Sequence, residues 1–382
     1  MTSICTAVST SPNSAQAVDS VLSSIRAEEC EMSLLFCSVR HDLARISAHI
    51  SARWPRARVV GCTSAAEITP GGYLDGSITA IGFGRRHFHA AATRIDGLQD
   101  LALRDVARAV RVARKSLSIR AGHLNPAHCF AILLVDGSAA CEEKLAAALS
   151  TELGGIALVG GSAGNDWTVQ SANSPLHPHV LHEGSFRRDC AVLLLVHTTL
   201  PWRALTHTHY RATRSKAVIT ATRPDNRLVL EINGTPASPT YASLCGMVNR
   251  PTAGYDFSAN PAMIRVGGKW FPRGIFEVLA DDSIRFACAI ERGLVVSVGE
   301  PGDMLGSLQQ TFHELQTQLG PPAVTIGFDC AARTVDMDRH GLRGPLSELL
   351  KQNNVVGAST LGEQYNAMHM NNSFTALAIG HE

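Results

Sequence analysis

Hydrophobic and polar positions alternate along this chain in blocks, and one order of blocks occurs three times. The apolar run "MSLLFCSV" (32–39) leads into the amphipathic stretch "HDLARISAHISARW" (41–54). Then come "VVGCTSAAE" (59–67) and, past a Gly-rich turn, "SITAIGF" (77–83). The order returns as "HCFAILLVDG" (128–137), "CEEKLAAALSTEL" (141–153), "ALVGGSAGND" (157–166) and, after a longer insertion, "CAVLLLV" (190–196). It returns again as "AVTIGFDC" (323–330), "GPLSELLKQNN" (344–354), "VVGASTLGE" (355–363) and "SFTALAIG" (373–380). Apolar runs bounded by turn residues read as strands covered on both faces, and the amphipathic stretches between them as helices. Each unit is expected to run strand, helix, strand, polar loop, strand. The Gly after each central strand permits a sharp exit that a β-carbon would resist.

The fold class expected is α/β, with mixed sheets covered by helices. Loops at the carboxyl ends of strands are where such sheets place ligands. Here those loops carry Thr63, Ser64, Ser162, Ser359, Thr360 and Glu363. They either line a ligand cleft or only turn the chain, since copying a structural unit copies its turns as well.

The second half begins with a different pattern. Residues 204–248 read as short strands, a turn near Asn233-Gly234 and a helix started by Ser238-Pro239. Residues 263–290 alternate strands with Gly-Gly and Asp-Asp turns, the pattern of an antiparallel meander. An antiparallel α+β insertion in the C-terminal half is expected, ahead of a helix over 303–319 with Leu305, Leu308, Phe312, Leu315 and Leu319 on one face. The apolar strand gives way to Pro201, which places a boundary near 198–204 and domains at 1–198 and 205–382.

Composition narrows the function classes. Apolar residues are 45% and charged residues 18% of 382, the profile of a globular chain. A net charge of +1 gives no field for nucleic acid. The basic run at 103–120 is the polar face of an amphipathic helix whose apolar side is Val106, Val110, Ala113 and Leu117. No apolar run reaches the ~18 residues of a membrane span. "MTSICTAVSTSPNSAQ" lacks the form of a secretion signal, and the ten cysteines show no ligand spacing. A reduced, cytoplasmic chain is expected. There is no Gly-Lys-Ser/Thr phosphate loop, GxSxG or HExxH.

The phrases "VVGCTSAAEITPGGYLDGSITAIGF", "LVGGSAGND" and "NNVVGASTLGEQYNAMHMNNSFTALAIG" resemble the FIST family of two-part sensory proteins over nearly the whole chain. "FCSVRHDL" and "EQYNAMHMNNSF" look most like its NosP-type branch of haem-binding nitric-oxide sensors. That resemblance implies a sensor and not an enzyme. It also implies haem b as cofactor, nitric oxide as ligand, and relay to a histidine kinase or a cyclic-di-GMP enzyme, with a homodimer as the candidate assembly. It does not say which residue holds the iron.

Haem iron takes an axial His, Cys, Met or Tyr, and the chain has sixteen histidines. His209 in "THTHYR" (206–211) is the first candidate, on an expected strand and before Tyr210, with His207 two residues earlier on the same face. His369, flanked by Met368 and Met370, is its rival. His87 and His89, and the histidines of "HPHVLH" (177–182), are weaker candidates for a metal. Arg265, Lys269 and Arg273 are the cations near the meander available to propionates. The alternative is a haem-independent sensor of a small metabolite such as an amino acid, bound by the six loop residues. A third reading makes Cys62 a nucleophile, although the other two copies of its loop carry no thiol there.

Overall fold

The computed structural model describes residues 3–165, 177–223, 227–247 and 255–382. The chain divides into two compact units. The first comprises Met1–Thr206, Thr311–His369 and Phe374–Glu382, and the second His207–Gln310 with Met370–Ser373.

The first unit holds all three repeats, and the expected elements are present. Repeat 1 runs strand Cys30–Ser38, helix Leu43–Arg53 and strand Val59–Ser64. A hairpin (Glu67–Thr69 with Gly72–Leu74) and strand Ile78–Gly84 follow. Repeat 2 has strand Cys129–Val135, helix Glu142–Leu153, strand Ala157–Ser162, a hairpin (Val180–His182 with Ser185–Arg187) and strand Cys190–Thr198. Repeat 3 has strand Val324–Cys330, helices Ala331–Arg339 and Arg343–Gln352, and strand Val355–Thr360. Its hairpin (Glu363–Tyr365 with Met368–Met370) and strand Phe374–Ile379 complete it.

Each repeat is longer than its sequence pattern indicates. An edge strand precedes each one, Ile4–Ser9, Phe88–Asp96 and Trp202–His207. A helix precedes each as well, Ser14–Ser24, Leu103–Ala121 and Met304–Leu319. The second unit enters between the edge strand and the first helix of repeat 3. The edge strand "ICTAVS" is only partly buried and carries little apolar signal of its own.

Each sheet of the first unit has six strands in one order. The edge strand pairs with the last strand of its repeat, which pairs with the first strand, which pairs in parallel with the second. The remaining two places are filled by the hairpin of another repeat. The repeat 1 hairpin completes the sheet of repeat 3, that of repeat 2 the sheet of repeat 1, and that of repeat 3 the sheet of repeat 2. A parallel strand pair leaves an unpaired edge, and the cyclic exchange covers all three such edges.

Side chains on the two faces of each strand enter different cores. Phe36, Ile132, Leu134, Ile326, Phe328 and Leu377 lie in one cluster shared by all three repeats, where Phe36 and Phe328 meet edge to face at 5.9 Å. On the outer faces, Val18, Leu22, Ile46 and Ile50 cover Leu35 and Cys37, and Val110, Leu117, Leu145 and Leu149 cover Leu133 and Leu195. Burial on both faces is why these strands read as continuous apolar runs.

The second unit is the expected antiparallel insertion, built round the 13-residue strand Tyr210–Thr222 with helix Ala237–Leu244. Asn233 and Gly234 take φ of 54° and 77°, the two left-handed positions of a tight hairpin turn. Two expectations are corrected. The hairpins Ala262–Val266/Lys269–Arg273 and Ile275–Val278/Ile284–Phe286 sit at opposite ends of the sheet order, so 263–290 is not one meander. Residues 206–211 are not one strand either: a strand ends at His207 and the next begins at Tyr210. Between them Thr208 Oγ1 accepts from Tyr210 N at 3.3 Å and donates to Asn372 O at 3.1 Å, which turns the backbone out of the ladder. His207 and His209 therefore do not share a strand face. Among the described residues no helix is long and apolar enough to cross a membrane.

Candidate functional site

The three parallel strand pairs end in matching registers, Cys37 opposite Thr63, Val135 opposite Ser162 and Asp329 opposite Ser359. From these ends the three loops run into one another. Ala65 N donates to Ser359 O at 2.9 Å and Ser359 N to Ala66 O at 2.8 Å. Ser162 N donates to Gly362 O at 2.8 Å and Leu361 N to Ser162 O at 3.0 Å. Gly164 N donates to Thr63 O at 2.8 Å, while Thr63 Oγ1 donates to Gly164 O at 2.8 Å. Gly164 stands where the loops meet: a β-carbon there would lie 2.6 Å from Ala65 N and 2.9 Å from Ser359 O. The structure thus brings Thr63, Ser64, Ser162, Ser359, Thr360 and Glu363 to one place, and each of them is fully buried.

Two loops share a Ser/Thr-x-x-Glu spacing that turns a hydroxyl onto a carboxylate. Ser64 Oγ donates to Glu67 Oε1 at 2.6 Å, and Thr360 Oγ1 to Glu363 Oε1 at 2.9 Å. The same offset in repeat 2 falls on Asp166, outside the described residues. Ser77 gives Glu67 Oε2 both its backbone N–H and its hydroxyl, each at 2.8 Å. Burial pushes the Glu67 carboxyl up from 4.5 to about 7, against the hydrogen bonds from Ser64 and Ser77 that pull it down.

A group whose folded-state pKa is raised contributes stability that is full below the unfolded value and is lost as pH climbs through the folded one. From pH 5 to pH 8 the wild type is therefore expected to lose about 2–3 kcal/mol that Glu67→Gln does not lose. In that variant the amide oxygen keeps both Ser77 bonds and the amide nitrogen faces the Ser64 hydroxyl. Urea unfolding of both proteins at the two pH values measures the difference, and parallel pH dependences would refute it.

Two further clusters adjoin the loops. Gln364 Nε2 lies 3.0 Å from Ser162 Oγ and 3.0 Å from His369 Nδ1, while Gln364 Oε1, in a fully buried side chain, has no hydrogen-bond partner among the described residues. Asp329 accepts from Arg333 Nε at 2.6 Å and from the Tyr73 hydroxyl of the exchanged hairpin. Burial, the largest influence, pulls the Arg333 pKa down, but the charge and hydrogen bond of Asp329 together with Tyr73 and Glu363 outweigh it, and the net direction is up. Sequence reasoning missed Glu67, Gln364, Tyr73, Asp329 and Arg333. The spacing shared by "SAAE" and "TLGE" was the one available signal, and it points to Glu67.

The FIST N domain matches residues 31–235 and the FIST C domain residues 237–366. The chain belongs to the FIST family. FIST domains are signalling-associated sensor domains, so a ligand-binding sensor is the role that this FIST chain fits. No curated protein matches it. Among solved structures it is similar to a cyanuric acid hydrolase, at 8% identity and a TM-score of 0.39 over 99% of both chains. It is also similar to the cyanuric acid hydrolase from A. caulinodans, at 8% identity and a TM-score of 0.36 over 99% of both.

The histidines of this FIST chain fall in different surroundings. His369 is in the first unit, beside Gln364. His207 and His209 belong to the second, where His207 Nε2 lies 3.0 Å from Ser307 Oγ and the His209 ring sits 4.1 Å from that of Tyr210. All three are buried. Two cavities in the first unit, of about 340 and 830 Å3, open beside Cys30 and Arg85 respectively, and none of the three histidines lines either.

Among the other candidates, His87 Nδ1 lies 2.9 Å from Thr199 Oγ1 and His89 stacks on His197 at 6.3 Å. His179 and His182 have pKa values lowered by burial. No group of three His, Cys, Asp or Glu among the described residues is arranged to hold a metal ion. Arg265 lies over the Trp270 ring at 5.9 Å. Cys62 is fully buried and burial pushes its thiol far up, the reverse of what an activated nucleophile needs.

Proposed function

We propose that this FIST chain is a cytoplasmic sensor of a small polar metabolite of the amino-acid class, taken up at the meeting point of the three repeat loops. The observation that carries the reading is the Gln364 carboxamide. A wholly buried acceptor without a donor costs about 1–3 kcal/mol, and folded proteins rarely leave one. An ammonium or amide N–H is the donor that completes it, and the adjoining Glu363 carboxylate supplies charge of the matching sign. The hairpin carrying Gln364 belongs to repeat 3 but lies in the sheet of repeat 2. A ligand that tightens this contact would therefore act on two repeats at once, the bistable element a signal requires.

Haem-based sensing of nitric oxide, relayed to a histidine kinase or cyclic-di-GMP enzyme, is the second reading. It is favoured by the burial of His209 against Tyr210 and by the NosP-type resemblance. Haem held there by His209 would supply the ferrous iron that binds the gas, and the side chains packed round the histidines would first have to move aside.

Thermal unfolding of the purified chain against the set of amino acids separates the two. A ligand held at about 100 times its Kd adds about 2.7 kcal/mol and raises Tm by several degrees. Gln364→Met is expected to abolish that rise. No shift with any amino acid, together with stoichiometric haemin uptake and a Soret band lost in His209→Ala, would replace the first reading by the second. No shift and no uptake would end both.

A further inference from the structure

We infer that repeat 1 carries a second binding site, for the phosphate of a nucleotide, in the cavity of about 830 Å3 at its outer edge. The cavity is lined by Arg26, Arg56, Arg85, Arg86 and Trp54, with Glu28 and Glu29 the only acidic lining residues. Four guanidinium groups face these two carboxylates and, beside Arg86, that of Glu382, which leaves one positive charge in surplus.

The arginines differ in how they are held. Arg56 pairs with Glu28 at 3.0 Å, Arg26 with Glu29 at 4.0 Å and Arg86 with Glu382 at 3.3 Å, all through largely exposed arginine side chains. Exposed pairs of this kind contribute about 0–1 kcal/mol, so an incoming dianion displaces them at little cost. Arg85 has no carboxylate partner among the described residues. Its Nε donates to Cys30 O at 3.2 Å and its Nη2 to Glu28 O at 2.9 Å. Two carbonyls thus fix the guanidinium without neutralising it, and its remaining N–H groups suit a phosphate oxygen. The Trp54 indole is oriented by its own bond, Nε1 to Asp19 Oδ1 at 3.1 Å, and lines the same cavity. A fixed aromatic face beside fixed cations fits a base stacked next to its phosphate.

The other repeats serve as internal controls. The segment after the first helix is "IRAEE" (25–29) in repeat 1, but "GHLNPAH" (122–128) and "GPPA" (320–323) in repeats 2 and 3. The segment after the second helix is "WPRAR" (54–58), but "GGI" (154–156) and "NN" (353–354). The repeated architecture therefore does not require these arginines or this tryptophan. They were placed in one copy only.

The experiment is titration of the full chain with adenosine and guanosine monophosphates, followed by calorimetry and tryptophan fluorescence. Inorganic phosphate and adenosine are run separately. Either nucleotide is expected to bind at least about tenfold more tightly than phosphate or adenosine, with affinity falling as salt rises. Arg85→Gln is expected to weaken nucleotide and phosphate binding about tenfold or more, and Trp54→Leu to weaken nucleotide binding but leave phosphate unchanged. Should Arg85→Gln unfold, Arg26→Gln with Arg86→Gln, both at the surface, replaces it with the same expectation; should Trp54→Leu unfold, the wild-type difference between nucleotide and phosphate affinity reads the base contact. Absence of binding by either nucleotide, adenosine binding as well as its monophosphate, or affinity unchanged in the arginine variants would each overturn the proposal. Phosphate binding as tightly as the nucleotides would overturn the base contact.

Discussion

Gly357→Ala is expected to leave the chain without a stable fold. A β-carbon at Gly357 would lie 1.8 Å from Gly327 O, 2.7 Å from its C and 2.9 Å from its N. All three atoms are backbone, so no rotamer change relieves the contact and the parallel pair must come apart. The same approach recurs at Gly61, 1.9 Å from Leu35 O, and at Gly160, 2.1 Å from Leu133 O. These three glycines are one position copied three times, each where the second strand of its repeat presses on the first. Separating the strands at Gly357 also loosens the exchanged hairpin that pairs Ile68 and Glu67 with Gly357 and Ala358. The cost is expected to exceed about 4–5 kcal/mol, comparable to the whole net stability of a domain. Gly344→Ala is the control: a β-carbon there meets nothing within 4 Å, and a helical Gly→Ala change gains up to about 1 kcal/mol. Far-UV circular dichroism and urea unfolding of both variants decide it, and a Gly357→Ala protein within about 1 kcal/mol of wild type would show the strands can part.

Arg333→Met is expected to cost about 3–5 kcal/mol, because it leaves the Asp329 carboxylate buried without its counter-charge. Asp329 is 3% exposed and Arg333 is 2% exposed. Neither charge reaches water when its partner is removed. The Tyr73 hydroxyl still donates to Asp329 in the variant, but a single neutral donor does not replace a guanidinium. Combining Arg333→Met with Asp329→Asn removes both charges and is expected to recover most of the loss. A double-mutant cycle by urea unfolding reads the coupling. Additive single losses would show that the two groups do not act as a pair.

These two predictions rest on features of very different legibility. The glycines stand inside the repeated phrases "VVGCTS", "LVGGSAG" and "VVGAST", where the sequence shows a copied position and periodicity assigns the strands around it. The Asp329–Arg333–Tyr73 cluster gives no such sign. Arg333 reads as one more charge on a short helix, and Tyr73 lies 256 residues from its partner. The loop residues Thr63, Ser162 and Ser359 were marked by repetition, and they do converge. Their complete burial was not legible, because exposure depends on what covers a loop, here the turns of the other two repeats. The break between His207 and Tyr210 was missed for a local reason. A Thr side chain competing for backbone hydrogen bonds looks the same in sequence as a Thr in a strand.

Local order alone determined which segments are strands and helices and that the unit occurs three times. Hydrophobic period and turn residues act over a few positions, and copies of one pattern repeat one local structure. Only the tertiary structure decided which hairpin completes which sheet, and so where Glu67, Gln364 and Tyr73 come to rest. Strand edges are chemically alike, since every edge offers the same N–H and C=O groups. The choice of partner is made by the shared core of the three repeats, in which all three sheets must be buried together. The arginines of repeat 1 gather by the same kind of closure: segments near residues 26, 56 and 85 follow different strands and helices, and only the packed unit places their cations round one cavity.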